Sequence, residues 1–167
     1  MKKKHARSLA SLNKVSNSYN AEKARAYAFL LLKFRLRSEN ELKARLKQKG
    51  FSEELAQGTV SFLKDKEFID DRVFARGWVA SRLRRLFGFR RIKQELIQKG
   101  LDKEIIENSL SQAKEHYNES QVVSQLAKQR FSKIKGIEPL KAKARVYGYL
   151  LRRGFSAEVV EDVFDKL

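Results

Sequence analysis

The chain has 167 residues, of which 42% are hydrophobic, so it is long and apolar enough to form packed cores. It contains no cysteine, which excludes disulfides and thiolate metal sites. Its 37 Lys and Arg against 20 Asp and Glu give a net charge of +17, which favours polyanions or acidic proteins as partners. The apolar run 26–32 is too short to cross a membrane and residues 1–12 lack the apolar core of a secretory signal, so we expect a soluble cytoplasmic protein.

One helical pattern recurs three times along the chain. The copies are LKARLKQKGFSEELAQGTVSFL at 42–63, IKQELIQKGLDKEIIENSLSQA at 92–113 and VYGYLLRRGFSAEVVEDVFDKL at 146–167. Each copy reads as a helix that a glycine ends and an N-capping side chain restarts. The pattern predicts an all-α protein of three tandem three-helix, helix-turn-helix-like repeats that form an elongated, curved molecule.

The predicted elements follow from these copies in chain order. Residues 1–18 are basic and without periodicity, which indicates a flexible arm. We expect repeats at 19–68, 69–117 and 118–167.

The spacing of the apolar residues in the first helix predicts that one face packs inward; its members are Tyr27, Leu30, Leu31 and Phe34. We expect later helices to be capped by Ser38, Ser52, Asp70 or Asp71, and Asp102. Pro139 fits the first position of a helix in the third repeat that is about a turn longer than its counterparts.

No catalytic or metal-binding constellation is visible. The histidines are His5 in the arm and His116, neither of which has a set of likely metal ligands within helical reach. The chain has no phosphate-binding glycine loop and no dinucleotide fingerprint. We therefore expect no enzyme, no cofactor and no metal.

Arginine is concentrated in the middle repeat, and its planar guanidinium suits phosphates and carboxylates. The candidate contact residues are Arg72, Arg76, Arg82, Arg84, Arg85, Phe89, Arg90, Arg91, Lys93, Arg145, Arg152 and Arg153. Phe89 is included because its position between a glycine and two arginines leaves it as open to base stacking as to packing, whereas Trp78 shares a core face with Phe74. The alternative is that the charge confers solubility and pairs with the acidic third helices of the repeats.

Four segments of the chain resemble the RecX family of bacterial regulatory proteins. They are FIDDRVFA at 68–75, GFRRIKQEL at 88–96, KGL at 99–101 and LRRGFS at 151–156, and the resemblance covers about residues 21–167. It implies a non-enzymatic modulator that binds the groove of the filament formed by the RecA recombinase on single-stranded DNA. Such a protein typically inhibits the ATPase and strand exchange and promotes filament disassembly.

From the resemblance we expect the RecA filament and single-stranded DNA as partners. We also expect binding to double-stranded DNA, no binding to membranes, and a monomer. Two other functions stay open from the residues alone. One is a non-specific DNA-binding protein built from helix-turn-helix-like repeats, and the other is an adaptor whose charge serves solubility.

Overall fold

The computed structural model describes residues 19–166. Every regular element in that range is an α-helix, which confirms that the fold is all-α. In chain order the helices are α1 19–34, α2 Glu39–Gln48, α3 Glu53–Asp65, α4 Asp71–Arg84, α5 Phe89–Gln98, α6 Lys103–Lys114, α7 Glu119–Phe131, α8 Pro139–Arg152 and α9 Ala157–Phe164. The arm predicted at 1–18 lies outside the described residues.

The chain divides into two compact units, Met1–Phe74 and Ala75–Leu167, and the division falls inside α4. The core of the first unit joins α1, α2 and α3 around Leu42, Leu46 and Leu63, none of which is exposed. A core in the second unit joins α7, α8 and α9 around Leu150 and Phe155.

The buried face of α1 differs from the predicted one. Tyr27 and Leu31 pack against the core, but Leu30 and Phe34 are 52% and 76% exposed. Ala24 and Ala28 are fully buried and occupy the contact face instead. Alanine at i and i+4 lets the helix axis approach α2 and α3 closely, and this approach turns the larger side chains outward.

The predicted caps explain where most helices begin. Ser38, Ser52 and Ser156 each accept a hydrogen bond from the backbone N–H three residues later. Asp70 caps α4 by accepting from the N–H of Arg72 at 2.6 Å, whereas Asp71 accepts from the N–H of Glu39 at 2.9 Å. Asp71 therefore satisfies an orphan donor of α2 and joins the first residue of α4 to the first residue of α2.

The second helix of the third repeat is longer than its counterparts, as predicted. α8 has 14 residues, whereas α2 and α5 have 10 each, and Pro139 stands in its first turn. Glu138 caps this helix, because its carboxylate accepts from the N–H groups of Leu140 and Lys141. Asp102 stands at the N-cap of α6 but makes no capping side-chain hydrogen bond.

Candidate anion-binding site

The described residues place three arginines around one surface depression in the second unit. We name it the arginine cleft: it has a volume of about 260 Å³ and is lined by Arg90, Arg91, Gln94, Leu151, Arg152 and Gly154. Arg90 and Arg91 come from the first turn of α5, and Arg152 ends α8. Residues 62 positions apart in the chain thus form one basic surface.

Backbone hydrogen bonds fix the two sides of the cleft to each other. The N–H of Gly88 donates to the carbonyl of Arg153 at 2.9 Å, and the N–H of Arg90 donates to the carbonyl of Gly154 at 3.1 Å. Gly154 has φ +93°, in the left-handed region that favours glycine. A Cβ at Gly88 would lie 2.3 Å from the carbonyl carbon of Gly154, so the contact requires glycine.

Three of the four backbone N–H groups at the N-terminus of α5 are therefore already satisfied by protein groups. Besides the two bonds to the α8–α9 turn, the N–H of Phe89 donates to a carboxylate oxygen of Glu119 at 3.1 Å. Burial raises the pKa of Glu119, while the bond from Phe89 and the charge of Lys114 lower it, and the net shift is upward. An anion in the arginine cleft would consequently meet guanidinium groups rather than the free amides of a helix end.

Glu95 on α5 holds three side chains in place behind the cleft. One carboxylate oxygen accepts from the Nε of Arg82 at 2.6 Å and from the Nε1 of Trp78 at 3.0 Å, and the other accepts from the Nε of Arg91 at 3.0 Å. Burial raises the pKa of Glu95, but the hydrogen bonds from Arg91, Arg82 and Trp78 outweigh it and hold the pKa below its ordinary value. Glu95 therefore stays ionised and neutralises part of the arginine cluster.

Arg153 faces the protein rather than solvent. Its guanidinium donates to the carbonyl oxygens of Arg85 and Leu86 and lies 4.6 Å from the centre of the Phe87 ring. These carbonyls follow the last turn of α4, where a cation is favoured. Its contacts join the end of α4 to the end of α8, so Arg153 holds these two helices together and does not line the cleft.

The remaining candidate arginines are exposed outside the cleft. Arg72, Arg84, Arg85 and Arg145 are exposed, and Arg76 borders an apolar groove between α4 and α6 of about 330 Å³. Of the predicted contact residues, three line the arginine cleft, namely Arg90, Arg91 and Arg152.

Part of the positive charge is neutralised within the repeats, as the alternative interpretation of the charge predicts. Lys43 and Lys47 on α2 pair with Glu53 on α3, and their hydrogen bonds lower its pKa to about 2. Lys93 on α5 pairs with Glu107 on α6 at 2.5 Å. Second helices thus use lysines to bind acidic third helices, which leaves Arg90 and Arg152 as the better candidates for an external anion.

The sequence leaves Phe89 as open to base stacking as to packing, and the structure shows that it is packed. Its side chain is 8% exposed, and its ring packs edge to face with Tyr117 at 5.6 Å between centroids. A nucleobase cannot stack on a ring face that the protein covers. Trp78 is half-buried, and the cations of Arg82 and Lys99 lie 4.1 and 4.3 Å from the centre of its ring system.

Sequence reasoning overlooked two features of the site. Glu95 is the one acidic residue in 72–100, and that isolation was a signal that it serves several arginines. The other is Gly88: a glycine stands where a capping side chain is expected and needs no positive φ, which is a sign that another backbone segment approaches closely. Within residues 19–166 no group of three or more His, Asp or Glu could hold a metal ion. Nor is any helix there long and apolar enough to cross a membrane.

Comparison with known proteins finds a match for each of the three repeats. Residues 24–63, 70–110 and 118–164 match family models described as the first, second and third three-helix domains of RecX. The regulatory protein RecX of Caldanaerobacter subterraneus subsp. tengcongensis is 34% identical over 145 residues, which are 87% of this chain and 71% of that protein. The chain belongs to the RecX family. The regulatory protein RecX of Thermotoga maritima is 35% identical over 148 residues, covering 88% of this chain and 86% of that protein.

Solved structures of RecX proteins share the fold. A crystal structure of regulatory protein RecX superimposes with a TM-score of 0.80 at 23% identity, over 92% of this chain and 76% of that one. RecX from Lactobacillus salivarius gives a TM-score of 0.77 at 21% identity, over 90% of this chain and 97% of that one. The resemblance seen in the sequence is thereby confirmed, and the relatives are named as regulatory proteins.

Proposed function

We propose that this protein is a non-enzymatic modulator, typically an inhibitor, of the RecA recombinase. It binds the groove of the RecA filament on single-stranded DNA and regulates its ATPase, strand exchange and stability during recombination and repair. The three repeats, bounded at 19–68, 69–117 and 118–167, act as a monomer in the cytoplasm. Membership of the RecX family supports the partner, and the net charge of +17 supports an acidic or phosphate-rich surface.

The observation that carries the proposal is the convergence of Arg90 and Arg152 on one cleft. Both side chains are exposed, and they belong to elements that two backbone hydrogen bonds join directly. A site that is already assembled loses little conformational entropy when it binds, so more of the interaction energy appears as affinity. The cleft therefore contacts a phosphate of the DNA or a carboxylate of the recombinase, and the outer arginines of the chain add weaker contacts.

The measurement is RecA ATPase turnover on single-stranded DNA with the protein titrated in. The test variant is Arg90→Gln with Arg152→Gln, and the matched control is Lys103→Gln with Lys135→Gln, which removes two exposed charges outside the cleft. Two surface contacts to charged groups are worth about 0.4–2 kcal/mol together, so we expect the half-inhibitory concentration to rise about two- to thirty-fold in the test variant. The control should change it less than two-fold.

Naked DNA separates filament regulation from general DNA binding. Suppression of the ATPase at concentrations that leave bare single-stranded DNA unbound would support the filament as target. If both cleft arginines contact phosphates, their loss should reduce the slope of log affinity against log salt by about 1.4. An unchanged half-inhibitory concentration in the folded Arg90→Gln, Arg152→Gln variant would remove the cleft from the proposal, and wild-type protein without any effect on turnover would refute the modulator function itself.

A further inference from the structure

A second concave surface lies in the third repeat and shares no lining residue with the arginine cleft. We name it the Phe131 pocket: it has a volume of about 510 Å³ and is lined by Lys128, Phe131, Pro139, Lys143 and Phe164. The volume falls within the range of ordinary ligand pockets. The nucleic-acid and filament contacts predicted from the sequence include none of these residues.

The floor of the Phe131 pocket is apolar and held by the core. The rings of Phe131 and Phe164 lie 5.9 Å apart between centroids, and Phe164 also packs edge to face with Tyr147 at 6.0 Å. Phe164 is 9% exposed and belongs to the core cluster of α7, α8 and α9. The pocket is therefore formed before any partner arrives. Leu140, next to Pro139 in the chain, is 78% exposed.

The charged side chains that line the pocket are both cationic. Residues 128–145 carry seven Lys and Arg against the single acid Glu138, whose carboxylate is occupied in capping α8. Lys128 and Lys143 are exposed, and neither makes an ion pair with any residue in 19–166. The ammonium of Lys143 lies 5.7 Å from the centre of the Phe164 ring. An apolar pocket flanked by two unpaired cations is complementary to an apolar group flanked by anions.

We propose that the Phe131 pocket binds an acidic segment of a partner protein. One aromatic or aliphatic side chain of that segment enters the pocket, and the adjacent carboxylates bind Lys128 and Lys143. A protein segment suits this lining better than a nucleobase. The lining side chains offer no hydrogen-bond acceptor, so the N–H groups of a buried base would stay unsatisfied, whereas a hydrocarbon side chain has none to satisfy. Small apolar anchors with a charged rim are a common arrangement at protein interfaces.

The test uses the full-length protein and a fluorescein-labelled peptide, Asp-Glu-Phe-Glu-Asp, measured by fluorescence anisotropy. The same peptide with Ser in place of Phe should bind at least about ten-fold more weakly, because it buries no ring. Lys128→Gln with Lys143→Gln should weaken binding of the Phe peptide by about two- to thirty-fold. The control Lys133→Gln with Lys141→Gln removes two neighbouring exposed charges and should leave binding within two-fold.

Three results would overturn the proposal, each in folded protein. The first is equal binding of the Phe and Ser peptides, which would leave only charge attraction. The second is a ten-nucleotide oligothymidylate that binds more tightly than the peptide and loses affinity in the Lys128→Gln, Lys143→Gln variant, which would make the pocket a nucleic-acid site. The third is self-association of the wild type that the same variant abolishes, which would assign the pocket to a second copy of the chain. None of these measurements contains RecA, so their outcome is independent of the proposed regulatory function.

Discussion

Replacing Gly88 by alanine tests whether the contact between the second and third repeats depends on two glycines. The added Cβ would lie 2.3 Å from the carbonyl carbon and oxygen of Gly154 and 2.3 Å from the nitrogen of Phe155, all of them backbone atoms that cannot rotate away. Because Gly88 has φ −76°, the substitution introduces no backbone strain of its own. Any loss of stability must therefore come from separating the two segments.

The size of the effect follows from the bonds that separation breaks. Two backbone hydrogen bonds, Gly88 to Arg153 and Arg90 to Gly154, would be lost at about 1 kcal/mol each. Misfit in the surrounding packing adds about 1–3 kcal/mol. We expect Gly88→Ala to lower the free energy of unfolding of the second unit by about 3–5 kcal/mol.

Urea titration followed by tryptophan fluorescence measures this loss. Trp78 is the only tryptophan and lies beside Glu95, so its signal reports the second unit. Gly58→Ala is the control for replacing a glycine by alanine without a clash, because a Cβ at Gly58 meets open space. It should stabilise the first unit by about 0.5–1 kcal/mol, measured by urea unfolding followed by circular dichroism. Gly50→Ala, with φ +99° and open space, isolates backbone strain at about 1–2 kcal/mol. A Gly88→Ala protein within 0.5 kcal/mol of wild type would refute the steric argument.

Two further predictions concern the residues behind the arginine cleft. Arg153→Gln should lower the stability of the second unit by about 1–3 kcal/mol, because the carbonyls of Arg85 and Leu86 lose a charged donor. Arg152→Gln should change the stability by less than about 0.5 kcal/mol relative to wild type. Equal effects of the two substitutions in urea titration would contradict the structural role of Arg153. The folded-state pKa of Glu95 lies below its ordinary value of 4.5, so its stabilisation is complete above that value and is lost as the pH falls through the lower folded-state pKa. Melting temperatures from pH 7 to pH 3 should therefore fall less in Glu95→Gln than in wild type, and parallel curves would exclude this role.

The helix boundaries could be predicted from the sequence because the signals that start and end a helix act between residues close together in the chain. A serine ahead of a helix satisfies amides three residues away, as Ser38 and Ser52 do, and a glycine ends a helix through its own φ, as Gly50 and Gly154 do. The same short-range signals, repeated three times, gave the three-helix repeats and the resemblance to RecX, both of which were confirmed.

The tertiary structure decided which faces are covered and which charges remain available. Periodicity places Leu30 and Phe34 on one face of α1, but the close packing allowed by Ala24 and Ala28 turns that face to solvent. Arg152 and Arg153 are adjacent in the chain, yet one lines the arginine cleft and the other binds carbonyls of α4, because the Gly88–Gly154 contact brings the end of α4 beside the end of α8. The first outcome depends on later helices of the same repeat and the second on residues more than sixty positions away, so only the packing of helices determines them.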